Sequence, residues 1–291
     1  MSEDLKSYLL KIKNEVDIEI EKFLSNENSL TEGLFKSAAY STSGGKRIRA
    51  VFIYLMAETL FGVDNEKILL PACSIELIHA ASLIMDDLPF MDNSQLRRGK
   101  PANHVVFGAD VALLACIGIL SRATQIILKS DKLQGAEKLE IVSILSRAYG
   151  FDGLASGQFV DLKLKDKNID FNIIRFINQK KTAALFSASS EIAAVIGGAT
   201  KNEKQALVDF ANNVGFVFQI IDDLLDIAGD EKTVGKNLKR DEMNFVKLVG
   251  VDKAKLYIKE YQLKAEKSLD IFGDKAQTLL AFGRYLIERA A

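Results

Sequence analysis

Proline occurs only at positions 71, 89 and 101, so residues 102–291 run without one. Proline removes a backbone donor and clashes inside helices. A long stretch free of it, rich in Ala, Leu, Ile, Lys and Glu, reads as helix after helix. Apolar residues recur at helical spacing from the start: Leu5, Leu9, Ile12, Val16, Ile20 and Phe23 form one stripe over residues 3–24. Further helices are predicted near 30–40, 47–61, 67–87, 104–128, 136–159, 171–199, 202–228, 252–270 and 274–289. Their separators are short, at 41–45, 62–65, 197–200 and the polar stretch 229–244. No segment alternates as a half-buried strand does, and no repeat, low-complexity tract or long linker divides the chain. The prediction is one all-α domain over residues 1–291, a helical bundle.

Two acidic clusters interrupt this apolar pattern: Asp86-Asp87-Leu88-Pro89-Phe90-Met91-Asp92 and Asp222-Asp223-Leu224-Leu225-Asp226. Each closes an apolar run, and carboxylates rarely enter such surroundings unless something cationic neutralises them. The clusters stand 222 − 86 = 136 residues apart and belong to separate elements. Asp222 and Asp226, at i and i+4, share a helix face. Asp86 and Asp92 would be turned about 240° apart on an unbroken helix. Pro89 resolves the conflict, because it restricts Leu88 and limits continuation of the helix. The chain then loops out and returns Asp92 alongside Asp86. Two carboxylate walls suit Mg²⁺, which fills its other positions with water and phosphate oxygens. A solvated helix end is the bland reading, better suited to an isolated Asp pair than to two clusters behind apolar runs.

The balance of 38 basic against 39 acidic residues leaves no basic field for nucleic acid. Positive charge is local, at Lys46-Arg47-Ile48-Arg49 and Arg97-Arg98-Gly99-Lys100. Cys73 and Cys116 lie in apolar helical stretches without metal-ligand spacing and read as buried, reduced thiols of a cytoplasmic protein. The first residues lack the basic-then-apolar pattern of a signal peptide. The most apolar segment, 111–120, is bounded by Asp110 and Arg122. It is too short for a transmembrane span and is expected to be a core helix.

The helices ending at Asp87 and Asp226 are apolar around most of their circumference and belong at the centre of the bundle. Bundle sites are built from side chains projecting inward. The two clusters are therefore expected at one end of a central hydrophobic cavity walled by Leu, Ile, Phe and Ala. That shape suits a lipid diphosphate. Gly44-Gly45-Lys46-Arg47-Ile48-Arg49 adds a flexible loop and a helix start whose amides favour an anion. Lys46 and Arg49 can share a face. Arg97 and Arg98 follow Asp92 closely, and Arg pairs in a planar fork with phosphate oxygens. Taken alone, the first of these clusters is as readily a solvated helix start.

Together with Glu76-Leu77-Ile78-His79, Gly157-Gln158-Phe159-Val160-Asp161-Leu162, Lys181-Thr182, Phe218-Gln219 and Gly235-Lys236, these segments resemble the trans-isoprenyl diphosphate synthases in the same order. That is the farnesyl and geranylgeranyl diphosphate synthase family. The resemblance implies an all-α homodimer that joins isopentenyl diphosphate to an allylic diphosphate with Mg²⁺. By the same resemblance, Asp86, Asp92 and Asp222 are direct Mg²⁺ ligands, with Asp87, Asp223 and Asp226 supporting them or bridged by water. Arg97 holds the allylic diphosphate, and Lys46, Arg49, His79 and Arg98 hold isopentenyl diphosphate. Lys181, Lys236 and Gln219 line the allylic site, with Thr182 beside the reacting carbons. Without the resemblance, His79 reads as a hydrogen-bonded core histidine. His104 is expected to brace the loop after Pro101.

The chain departs from the family pattern twice. Glu242 stands where a Lys is usual, a contact that Lys239 or Lys247 could replace. Ala81, five residues and about 7.5 Å along the helix axis before Asp86, stands where bacterial farnesyl synthases usually place an aromatic. It leaves the floor under a growing prenyl tail open, unless Met85 or a neighbouring helix fills it. The motif wording favours farnesyl diphosphate as product, with geranylgeranyl diphosphate as the alternative. A terpene cyclase would not need the 46–49 site and usually carries a different second metal motif. A non-catalytic partner subunit would tend to lose Asp residues that are all present here.

Overall fold

The computed structural model describes residues 3–25, 28–164, 170–228 and 244–288. Lys236, Lys239 and Glu242 lie outside these residues, as does the side chain of Asp226. Helices α1 (Glu3–Phe23), α2 (Glu32–Thr42), α3 (Ile48–Phe61) and α4 (Asn65–Asp87) come first. A two-residue antiparallel ladder follows, β1 (Leu96–Arg97) against β2 (Lys100–Pro101). Next are α5 (Asn103–Phe107), α6 (Ala109–Lys129), α7 (Gly135–Tyr149), α8 (Leu154–Lys163) and α9 (Phe171–Ile177). A π-helical turn (Asn178–Ala183) joins α9 to α10 (Ala184–Ile196) and is followed by α11 (Lys201–Ala228). Then come α12 (Phe245–Val249), α13 (Val251–Ser268), a 3₁₀ segment (Asp270–Ala276) and α14 (Gln277–Glu288).

Local chemistry explains several boundaries. Gln134 N donates to Glu137 Oε2 at 2.8 Å in a capping box that starts α7. Thr200 and Glu203 make the same exchange before α11. The helix predicted over 136–159 is two helices, because Gly150 and Gly153 break it. A Cβ on Gly153 would lie 1.9 Å from the Ala148 carbonyl oxygen. The helix predicted over 104–128 divides at Gly108 (φ 90°), and that over 171–199 contains the π turn. The β ladder was not predicted either. Its two-residue turn has Arg98 at φ 54° and Gly99 at φ 73°, the left-handed pair that closes a tight hairpin.

The core is centred on Phe52 of α3, which is fully buried. Its ring lies 5.1 Å from Phe186, 5.9 Å from Phe210 and 5.5 Å from Phe282, joining α3 to α10, α11 and α14. A smaller cluster of Ile174, Phe216, Ile220, Phe245, Val246 and Ala254 holds α12 and α13 against α9 and α11. Helices α4 and α6 are each long and apolar enough to cross a membrane by length and composition. In α4, 67% of the apolar window is buried inside the bundle, but in α6 only 39%. Toward the core α6 buries Ala112, Ala115, Cys116 and Ile119, while Leu113, Leu114, Ile117 and Leu128 are exposed. Segment 111–120 is therefore half core and half apolar surface, not wholly interior as expected.

Candidate active site

Helix α4 stops where Pro89 requires. Asp92 N donates to the Asp86 carbonyl at 2.9 Å, and Asn93 N, at φ 50°, donates to the Leu88 carbonyl at 3.0 Å. The loop thus returns Asp92 to its predicted place. Asp87 is drawn elsewhere: it is 2% exposed and accepts Arg97 Nε at 3.0 Å and Arg97 Nη2. Burial opposes the charge on Arg97, but the Asp87 carboxylate more than offsets it and holds the guanidinium above its ordinary range. Here Asp87 orients Arg97. Burial pushes the Asp86 carboxyl up to about 6, with Lys181 opposing and Asp92 reinforcing the shift.

The π turn joins the two acidic walls. Lys181 Nζ lies 2.7 Å from Asp161 Oδ2 of α8 and 4.0 Å from Asp92 Oδ2. Burial would lower its pKa, yet Asp86, Asp161 and Asp92 together hold the ammonium above its usual range. The next residue addresses the other wall: Thr182 Oγ1 donates to Gln219 Oε1 of α11 at 2.7 Å. Gln219 Nε2 in turn donates to Asp223 Oδ1 at 2.9 Å. Such bulges are frequent at functional sites. Two glycines let the neighbouring helices close on this one. A Cβ on Gly157 would sit 2.8 Å from Lys181 N, and one on Gly215 would sit 3.1 Å from Ala183 Cα.

A basic cluster gathers from α3, α4 and the β1–β2 turn. Arg49 is half-buried with its guanidinium 5.0 Å from the Phe186 ring centre, and its buried Nε finds no partner among the described residues. Burial lowers its pKa to about 10, with Glu76, Arg98 and Asp222 as its charged neighbours. His79 is held well below its ordinary value by burial and then by Arg49, Arg98, Arg97 and Arg47, so its imidazole is neutral at pH 7. Arg98 Nη1 donates to the Ser43 carbonyl at 3.3 Å. Two expectations fail here. Helix α3 begins at Ile48, so exposed Lys46 precedes it and shares no helix face with Arg49. Its first free amides are also occupied, because Glu76 Oε1 accepts Arg49 N at 3.0 Å and Ala50 N at 3.1 Å. Those amides are therefore not free for an anion, and only side chains of this cluster could meet one.

The polyprenyl synthetase family model matches residues 31–255. The chain belongs to this family. It is a prenyltransferase of the trans-isoprenyl diphosphate synthase type. It is 36% identical over 295 residues to a chloroplastic geranylgeranyl pyrophosphate synthase of Catharanthus roseus, covering 98% of this chain and 82% of that one. It is 36% identical over 293 residues to a dimethylallyltranstransferase of Fischerella ambigua, with 98% and 84% covered. Among solved structures, an FPP/GFPP synthase of Zymomonas mobilis matches with TM-score 0.90 and 32% identity, covering 98% of this chain and all of that one. A geranyltransferase of Helicobacter pylori, complexed with magnesium and isoprenyl diphosphate, matches with TM-score 0.84 and 25% identity, with 99% and 98% covered.

The chain carries several supports whose roles residue patterns did not assign. Glu76 also lies 3.7 Å from Arg47 Nη1, and Arg47 Nε donates to Asp17 Oδ1 at 2.6 Å, so Arg47 is a buried framework cation. The signal for Glu76 was its place one helical turn before His79. Asn103, rather than His104, braces the loop after Pro101: its Nδ2 donates to the Ser37 carbonyl at 2.8 Å and to Ser41 Oγ at 2.7 Å. His104 Nδ1 is buried without a partner among the described residues. Ala81 is fully buried, with Cys116 Sγ of α6 3.4 Å from its carbonyl oxygen, and Met85 packs against the same core. Lys247 is exposed in the first turns of α12.

Among the described residues no three carboxylate, imidazole or thiolate groups close on a metal by themselves. The donors present are nonetheless hard oxygens, with Asp86 and Asp92 brought alongside each other by the Asp92 N bond to the Asp86 carbonyl. Such donors fit Mg²⁺ that completes its shell with phosphate oxygens and water.

Proposed function

We propose that this prenyltransferase condenses isopentenyl diphosphate with an allylic diphosphate between Asp86 and Asp92 on one wall and Asp222 on the other. The observation that carries this reading is the π turn, which sends Lys181 to the first wall and Thr182 to the second. Asp86, Asp92 and Asp222 would hold Mg²⁺, which when bound draws charge from the leaving diphosphate. Arg97, steered by Asp87, and Lys181, steered by Asp161, bind the oxygens of the allylic diphosphate. Arg49, Arg98, Lys46 and neutral His79 bind isopentenyl diphosphate. As the allylic C–O bond breaks, Thr182 Oγ1 and Gln219 Oε1 direct lone pairs at the cation. The homoallylic double bond then attacks it, and the proton lost from the new chain passes to a diphosphate oxygen. Apolar walls keep out water that would quench the cation.

Of the two products, we favour geranylgeranyl diphosphate. The small side chain of Ala81 and the geranylgeranyl names among the sequence relatives support C20. Farnesyl diphosphate, the product that motif wording favours, has one observation of its own: α6 brings Cys116 onto the Ala81 carbonyl and fills part of the floor. Mass spectrometry of products from purified protein, Mg²⁺, isopentenyl diphosphate and dimethylallyl, geranyl or farnesyl diphosphate decides between them. Predominant C20 supports the first, and predominant C15 the second. No elongation from any starter would sink both. The exposed apolar face of α5 and α6 (Val105, Val106, Leu113, Leu114, Ile117) supports a homodimer through these helices. The buried free thiols Cys73 and Cys116 support a reducing, cytoplasmic setting.

A further inference from the structure

Asp223 belongs by sequence to the second acidic cluster, yet both of its carboxylate oxygens accept hydrogen bonds from within the chain. Oδ1 accepts Gln219 Nε2 at 2.9 Å, Oδ2 accepts the Phe245 backbone N–H at 2.6 Å, and the residue is 5% exposed. Its position is fixed twice more. Asn244 Nδ2 donates to the Asp223 carbonyl at 3.0 Å, while Asn244 Oδ1 caps α12 through Val246 N at 2.9 Å. The Phe245 ring is wedged among Phe171 at 5.8 Å, Phe216 at 5.5 Å and Tyr257 at 5.3 Å.

An ionised carboxylate only accepts, so the Gln219 amide must turn its NH₂ toward Asp223 and its oxygen toward Thr182. That oxygen can only accept, and it takes the single proton of the Thr182 hydroxyl at 2.7 Å. Every bond from Phe245 to Thr182 therefore has one permitted direction. With its proton committed, Thr182 Oγ1 offers only lone pairs to anything else that approaches.

We infer that Asp223 is a positioning residue and not a metal ligand: it sets the polarity of Gln219 and Thr182, so that oxygen lone pairs and no protons meet the allylic cation. This rests on the reaction proposed above. An amide at position 223 could turn its own NH₂ toward Gln219, reverse that side chain and point a proton at the cation.

The test compares the full-length protein with Asp223→Asn, Asp222→Asn and the double variant Asp223→Asn/Gln219→Glu. Calorimetry with Mg²⁺ and inorganic pyrophosphate reads metal binding without turnover. Asp223→Asn should leave that affinity within about twofold, whereas Asp222→Asn should weaken it at least about tenfold. In turnover, Asp223→Asn should lower kcat about 10- to 100-fold, with KM for the allylic diphosphate nearly unchanged. The double variant exchanges amide and carboxylate along the chain, so Thr182 again donates inward, and kcat should recover several-fold. If Asp223→Asn weakens Mg²⁺-pyrophosphate binding as Asp222→Asn does, and excess Mg²⁺ restores its rate, Asp223 is a ligand and the inference fails. Loss of kcat with no recovery in the double variant also overturns it. An inactive wild-type chain would remove the proposed reaction, and calorimetry would still decide whether Asp223 binds metal.

Discussion

Asp161 Oδ2 holds Lys181 Nζ at 2.7 Å, which keeps the ammonium at the mouth of the first acidic wall, 4.0 Å from Asp92. A charge-assisted hydrogen bond of this kind contributes about 1.5–3 kcal/mol. Asp161→Asn should therefore lower kcat/KM for the allylic substrate about 10- to 100-fold. Steady-state kinetics with geranyl diphosphate checks this. An unchanged value would show that Lys181 finds its place without Asp161.

Asp86 titrates near 6 in the fold against 3.8 for the free side chain. Between these values the folded protein keeps a proton that the unfolded chain has lost. The stability of the metal-free protein therefore falls as pH rises from about 4 to 6, by on the order of 2–3 kcal/mol, and stays low above that. Asp86→Asn should remove this slope and raise Tm at pH 7. Thermal melts of metal-free protein across that window provide the check, and a variant that melts lower than wild type at pH 7 contradicts the assignment.

Glu76 caps α3 from another helix and sits against buried Arg47. Glu76→Ala leaves two amides unpaired and takes a carboxylate from a buried cation, a change that costs about 3–5 kcal/mol. Denaturant unfolding should show the loss, and a change below about 1 kcal/mol would mean that Asp17 alone suffices for Arg47.

Gly157 stands against the π turn, where a Cβ would meet the Lys181 backbone nitrogen at 2.8 Å. Gly157→Ala must move backbone on one side or the other, a strain of about 1–3 kcal/mol. Activity should fall more than stability, because the turn that shifts carries Lys181 and Thr182. Equal activity at equal Tm would show that the contact yields easily.

Leu114 and Ile117 are each 56% exposed on α6. If two copies bury this face, Leu114→Glu with Ile117→Glu should convert a dimer to a monomer in light scattering after gel filtration. A wild-type chain that already runs as a monomer at micromolar concentration rules the interface out.

Much of this was legible in the residues. Pro89 alone required the loop that brings Asp92 N to the Asp86 carbonyl. The apolar runs gave nearly every helix, because burial on most faces leaves a continuous signal. The π turn left none, since an extra residue between α9 and α10 does not alter composition. Asp223 and Asp87 look like their neighbours in one dimension, and only packing shows that a backbone amide and Arg97 claim them. Asn103 and His104 are adjacent polar residues after a proline, and the choice between them depends on where α2 places Ser37 and Ser41.

The π turn also limits where the chain can change length. An α-helix advances about 100° per residue, so one surplus residue rotates everything before it against everything after it. Lys181 and Thr182 lie inside that turn, where Asp161 of α8 and Gln219 of α11 fix them, so neither helix count alone sets where they face. Helix α9 is itself anchored, through Phe171 and Ile174. Across divergent copies of this sequence, insertions and deletions should therefore spare both α9 and the turn.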